Sequence, residues 1–222
     1  MGLSATAYFP QAVREHVHAE IAWWMTDAHA QTVYARAQGI AYGGRHARQG
    51  QPIQIAGQHA SHKPAALEEL AHQLYDHEAG VKAVLENLAN KAESRDRARA
   101  ILVVNGYDQC AHLARGLTRN PNLAHRVCVA VRNTNPVDQS PDLPSPEQAK
   151  RLPPEQFENF HHYGEILIAP LAVIARGLNI VHDNGRSAVE SIFLCVRPVL
   201  SINDLVWMHA SVNASGFRAL VK

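Results

Sequence analysis

The chain has 222 residues, 46% of them hydrophobic, and is long enough to bury a substantial core. Its 21 basic and 20 acidic side chains leave a formal net charge of +1. The chain therefore has no general excess of positive charge that would attract nucleic acid or an anionic membrane. The sequence shows no membrane-length apolar run and no basic segment followed by an apolar core at its start. Cys110, Cys128 and Cys195 lie far apart in apolar runs, a pattern typical of reduced, buried thiols. We therefore expect a cytoplasmic protein without a membrane partner.

The first part of the sequence is predicted to be mostly helical. Apolar residues recur at helical spacing through residues 8–48 and again through residues 64–90, where a proline opens the helix. A polar run at residues 91–99 then separates this part from strand-like segments. We predict a helical N-terminal region at residues 1–95 and a second domain at residues 96–222.

The second part alternates buried strands with helical segments. Continuous apolar runs are typical of parallel strands buried on both faces, and four of them occur, at residues 100–104, 127–131, 166–169 and 191–196. Strands separated by helices need crossover connections, so the sequence predicts an α/β fold with a parallel sheet.

A long connection separates the second and third of these strands. Residues 133–154 contain six prolines and are predicted to be irregular, with at most two helical turns around residues 147–152. Residues 154–162 are predicted to be helical, with Phe157 and Phe160 facing inward.

Polar residues follow the predicted strands at the points where the strands end. Asn105 and Gly106 follow the first strand, and Arg132 and Asn133 follow the second. The third strand leads into Arg176, Gly177 and Asn179. The carboxyl ends of parallel strands meet at one edge of the sheet, where α/β proteins bind their ligands. The sequence therefore predicts a ligand site at this edge.

Three segments in this order resemble the C-terminal RecA-like domain of superfamily 2 helicases. Residues 101–117 are similar to helicase motif IV, residues 157–164 to the helix before motif V, and residues 166–180 to motif V, which ends in Arg-Gly-x-Asp-Ile. The resemblance covers about residues 100–216 and implies a parallel sheet of the RecA-like helicase C-terminal domain type.

The resemblance also implies a function and a set of site residues. Asn105, Gly106, Arg132 and Asn133 would lie near a DNA or RNA strand. Arg176, Gly177 and Asn179 would face a nucleotide cleft shared with an ATP-binding RecA-like domain of the same or another chain, which would also hold the magnesium ion of ATP. A chain with these roles would be part of an ATP-dependent helicase or translocase.

The sequence departs from the helicase pattern at several positions. Asn179 replaces the usual aspartate, and Pro170 falls near the usual threonine. Residues 208–216 lie at the place of the arginine-rich motif VI but contain no arginine, although Arg197 and Arg218 flank them. The chain also lacks a Gly-x-x-x-x-Gly-Lys-Ser/Thr loop and an Asp-Glu-x-Asp/His box. We therefore expect that the chain binds no ATP and is not an active enzyme by itself.

Two alternatives remain open at this point. The first is a non-enzymatic RecA-like interaction module that has lost the arginine fingers, and the second is a flavodoxin-like nucleotide-binding protein. The spacing of the fourteen histidines does not form a specific metal-binding pattern, so no metal site is predicted.

Overall fold

The computed structural model describes residues 39, 53–55, 57–133, 135, 140–174 and 178–197. The helix predicted at residues 8–48 and the arginine-free segment at residues 208–216 lie outside these ranges. Everything described from residue 53 onward belongs to one compact unit, Ala41–Val199. The helices that precede residue 96 are therefore in the same unit as the sheet, and the domain boundary between residues 95 and 96 stays a prediction.

The predicted helix at residues 64–90 is two helices, α1 at Lys63–Asp76 and α2 at Val81–Ala89. Pro64 lies in the first turn of α1, as its fixed φ and missing N–H favour. Gly80 is the N-cap residue of α2, at a position where an added Cβ would overlap the carbonyl oxygen of Leu74. The chain therefore breaks at this glycine, because only a residue without a side chain allows so close an approach.

Five parallel strands form the sheet in the order β3-β2-β4-β1-β5. Their bounds are β1 at Ala100–Val104, β2 at Val127–Ala130, β3 at Ala149–Leu152, β4 at Ile166–Pro170 and β5 at Ser191–Leu194. The α/β fold and the parallel sheet are thus confirmed. The four predicted strands are confirmed as well, and β1, β2 and β4 are buried along their whole length.

The strand β3 was not predicted. The helical turns expected around residues 147–152 are wrong, since Ala149–Leu152 pairs in parallel with Val127–Ala130 at the edge of the sheet. Only Ala149 and Leu152 of this strand are buried, so its apolar signal is weak. The helix expected at residues 154–162 is present as a 3₁₀ helix, Pro154–His162, and buries Phe157 and Phe160 as predicted.

Two further helices connect the strands. The helix α3, Tyr107–Thr118, joins β1 to β2 and packs on β2, on β4 and on α1. The short helix α4, Leu171–Ile174, follows β4 and contacts β4 and β1. The β1-to-β2 connection passes β4 in one direction and the β4-to-β5 connection passes β1 in the other. Right-handed crossovers therefore place these two connections on opposite faces of the sheet.

The three cysteines are free, and Cys110 and Cys128 are buried, as predicted, while Cys195 is half-buried. Burial raises the pKa of Cys128 and of Cys195 to about 12, and it raises that of Cys110 further. Thiols in this state are poor nucleophiles.

Within the described ranges, no helix combines the length and the apolar character needed to cross a lipid bilayer.

Candidate nucleic-acid interface

The carboxyl-terminal edge of the sheet is formed at its centre by β1 and β4. Val104 and Pro170, the last residues of these neighbouring strands, are in register. The chain leaves these two strand ends toward opposite faces of the sheet. This is the point at which parallel α/β sheets bind ligands.

Asn105 and Gly106 form the turn between β1 and α3. The backbone N–H of Asn105 donates to Oε1 of Gln109 at 2.9 Å, and its Nδ2 donates to the carbonyl oxygen of Arg197 at 2.9 Å. Gly106 is the N-cap residue of α3 and has no side-chain cap, and among the described residues no atom lies within 4 Å of a Cβ added to it. The positive end of the α3 dipole is therefore accessible at this turn, and such ends attract phosphate groups.

Arg132, which follows β2, lies over this same turn. Its guanidinium carbon is 5.4 Å from the ring centroid of Tyr107, the first residue of α3. Arg132 is exposed, and within the described part of the chain it forms no ion pair with a carboxylate. The structure thus brings Asn105, Gly106 and Arg132 together, as the strand-end rule predicted.

Tyr107 and Arg197 are two members of this edge that the sequence did not assign to it. Arg197 is exposed and follows β5, and its backbone is held by Asn105. Asp108 places an exposed carboxylate in the first turn of α3 and partly offsets the positive charge. Arg197 lies three residues beyond β5, a half-exposed strand, so the rule of polar residues directly after buried strands does not identify it.

The other predicted site residues make a local contact, lie on the other side of the sheet or fall outside the described ranges. The Oδ1 of Asn133 accepts the N–H of Asn135 at 3.0 Å, so this exposed side chain closes a local turn. Asn179 is exposed and adjoins Ile180, whose carbonyl accepts the N–H of Ala188 at 2.9 Å. Ala188 precedes β5, so the backbone beside Asn179 lies on the amino-terminal side of the sheet. Arg176 and Gly177 are not among the described residues.

The groups at this edge suit phosphate better than a metal ion. A helix N-terminus and two exposed arginines are donors and positive charges that phosphate oxygens accept. Magnesium in nucleotide sites is held through carboxylates, and the described residues contain no cluster of three or more His, Cys, Asp or Glu able to hold a metal. The groups at this edge therefore have the chemistry to accept phosphate oxygens.

No protein-family model, curated protein or solved structure matches this chain.

The order of the strands distinguishes this sheet from one known class of parallel α/β sheet. Flavodoxin-like sheets have the order 2-1-3-4-5, with the first strand between the second and the third. Among the described strands, β1 lies between β4 and β5. The sheet therefore does not have the flavodoxin order.

Proposed function

We propose that this chain binds single-stranded DNA or RNA across the carboxyl-terminal edge of its sheet. The observation that carries the proposal is the position of Arg132 over Tyr107 at the open N-terminus of α3. Single-stranded nucleic acids bind where a cationic groove follows the backbone and aromatic side chains stack on the bases. Arg132, Tyr107 and the first turn of α3 supply these two kinds of group next to one another.

The order of the helicase-like segments extends this proposal to the nucleotide. The chain completes an ATP site that another domain or chain contributes, as a C-terminal RecA-like domain of a superfamily 2 helicase does. Hydrolysis of the ATP bound in that site supplies the free energy for movement along the nucleic acid. The helicase resemblance assigns the nucleotide contacts to Arg176 and Gly177, and the magnesium ion to the partner domain. Asn179 is left out of this part of the proposal, because the backbone beside it lies on the amino-terminal side of the sheet.

A second candidate is a non-enzymatic RecA-like interaction module that binds nucleic acid without ATP-driven movement along it. Pro170, at the end of β4, favours this alternative because it is buried and has neither a hydroxyl group nor an N–H. The threonine found near this position in helicases offers both to a phosphate.

Fluorescence anisotropy with a labelled 20-nucleotide single strand of DNA or RNA, at 50 mM and 200 mM salt, tests the binding proposal. Arg132→Ala is expected to weaken binding about fivefold to tenfold and to reduce the slope of log Kd against log salt by about 0.7. Arg186→Ala is the matched control, since Arg186 is an exposed arginine in the turn before β5.

Variants of Tyr107 separate stacking from charge. Tyr107→Leu is expected to weaken binding by at least about fivefold, because one stacked base contributes about 1–3 kcal/mol, whereas Tyr107→Phe keeps the ring and the affinity. Absence of binding at 50 mM salt, or equal affinities of the wild-type chain and Arg132→Ala, would refute the proposal.

The nucleotide part is tested in the protein joined to its ATP-binding domain. Arg176→Ala is expected to abolish ATP turnover while the affinity for the single strand stays within about twofold. Unchanged turnover in this variant would leave the second candidate, the interaction module, as the function.

A further inference from the structure

A cavity of about 330 Å³ lies at the opposite, amino-terminal edge of the sheet. Its walls come from α1, α2, the segment before β1 and the residues that precede β2 and β4. Arg126 and Glu165 are adjacent there, since the carbonyl oxygen of Arg126 accepts the N–H of Glu165 at 2.9 Å. The N–H of Ala100 in turn donates to the carbonyl of Glu165 at 2.9 Å, which places the cavity at the beginning of the central strands.

The cavity carries more positive than negative charge. Arg126 is neutralised by Glu165, with Nη2 and Oε2 2.5 Å apart. A side-chain hydrogen bond to Glu165 raises the pKa of Arg126, and Tyr75 in the cavity wall adds to the effect. The remaining cations are Lys82, Arg95 and Arg99, and Glu86 is the carboxylate left to oppose them. Within the described part of the chain, none of these three cations forms an ion pair with a carboxylate.

Arg99 is held in place by neutral groups. Its guanidinium donates to the carbonyl oxygens of Asp96, of Ala188 at 3.5 Å and of His161 at 3.2 Å. Its Nε is buried and has no acceptor within the described ranges. Burial lowers the pKa of Arg99, an effect that the nearby carboxylates of Glu165 and Asp96 oppose. Carbonyl groups fix the direction of a guanidinium but do not cancel its charge, so this arginine lies in the cavity wall without a full counter-ion.

The other walls of the cavity are apolar. Leu85 and Ala89 of α2 and Ala98 before β1 line it together with the ring of Tyr75. Binding sites for small molecules combine such apolar walls with a few convergent polar groups, and volumes of about 300–1,000 Å³ are usual.

We propose that this cavity binds a small organic phosphate monoester. The phosphate lies against Lys82, Arg95 and Arg99, and the organic part lies against Leu85, Ala89 and Tyr75. A monoester carries a charge of about −1.5 to −2 at neutral pH and has three strong acceptor oxygens, which match three cations. The site is independent of the proposed nucleic-acid interface, because the two lie at opposite edges of the sheet.

Isothermal titration calorimetry of the full chain with phenyl phosphate, inorganic phosphate and phenol tests this site. We expect saturable binding of one phenyl phosphate, weaker binding of inorganic phosphate, which lacks the ring, and no binding of phenol, which lacks the charge. Lys82→Gln is expected to raise the Kd for phenyl phosphate about tenfold, and Arg95→Gln provides a second measurement. Both side chains are exposed, so neither variant removes a buried group.

Two control variants make the result specific to the cavity. Lys91→Gln removes an exposed lysine just beyond α2 that does not line the cavity, and Arg132→Ala alters the opposite edge. Both are expected to bind phenyl phosphate as the wild-type chain does. The proposal is overturned if phenyl phosphate shows no saturable binding, if Lys82→Gln and Arg95→Gln both bind like the wild type, or if Lys91→Gln weakens binding as much as Lys82→Gln.

Discussion

Gly116, in the last turns of α3, sets how closely α3 approaches α1. A Cβ at this position would lie 2.5 Å from the carbonyl oxygen of Glu68, 2.7 Å from its Cα and 2.8 Å from the Cβ of Ala71. To restore contacts of 3.5 Å, the two helices would have to separate by roughly 0.7–1.0 Å. Such overpacking costs about 1–3 kcal/mol, and the better helix propensity of alanine returns up to about 1 kcal/mol. We therefore expect Gly116→Ala to lower the free energy of unfolding by about 1–2 kcal/mol.

Thermal unfolding followed by far-UV circular dichroism measures this effect, which corresponds to a fall in Tm of about 3–6 °C for a folded unit of this size. The matched control is Gly106→Ser at the N-cap of α3, where an added Cβ meets no atom of the described residues within 4 Å and serine is a favoured residue. Its free energy of unfolding is expected to stay within about 0.5 kcal/mol of the wild type or to rise. If Gly116→Ala melts at or above the wild-type temperature, α3 and α1 are not packed as closely as described.

Three further predictions concern buried and titrating groups. The thiols should react with a disulfide reagent at pH 8 only after the chain is unfolded in guanidinium; they are Cys110, Cys128 and Cys195. A pKa of about 12 instead of 9.0, as for Cys128 and Cys195, reduces the thiolate fraction about a thousandfold. Rapid labelling of the native chain would contradict this prediction. Glu68→Ala should destabilise the chain by about 1–2 kcal/mol in the same melts, since it removes a carboxylate only 8% exposed that bridges Arg115 of α3 and Arg119 just beyond it. An unchanged Tm would contradict this role. Burial, His162 and His182 keep the pKa of His161 below 6.5, so the unfolded chain binds more protons and stability falls as the pH drops from 7 to 5. His161→Gln should make that fall shallower, and identical pH profiles would exclude the effect.

Four of the five described strands are predictable from the sequence, and the difference between them and the missed strand lies in their burial. The strands β1, β2 and β4 are apolar at every position because both of their faces are covered, which makes them visible as continuous runs. The strand β3 lies at the sheet edge and exposes Lys150, so its pattern is indistinguishable from that of a turn. Gly80 divides one long apolar stripe into two helices because of a contact with Leu74, and this contact depends on the fold rather than on local sequence.

Only part of the candidate site is predictable from the sequence, namely the polar residues that directly follow buried strands. This pattern identifies Asn105, Gly106 and Arg132 because each follows a buried strand directly. The strand order decides which strand ends are neighbours, and the sequence does not specify it. Arg197 joins the site because β5 pairs with β1, and Tyr107 joins it because Arg132 lies over its ring. Asn179 follows β4 only at a distance, and at Ile180 the chain has already returned to the other side of the sheet.

The pairing of β1 has a consequence for the synthesis of the chain. Ala100 is paired with Ile166 on one side and with Ser191 on the other, so β1 acquires both neighbours only after the segments containing β2, β3 and β4 have been made. Pairings between residues so distant in sequence form slowly, and an apolar strand that lacks a neighbour is prone to aggregate. A chain terminated between β4 and β5 would expose the backbone of the buried strand β1 along one whole side. Translation past residue 194 is therefore the step after which β1 can be paired along both sides.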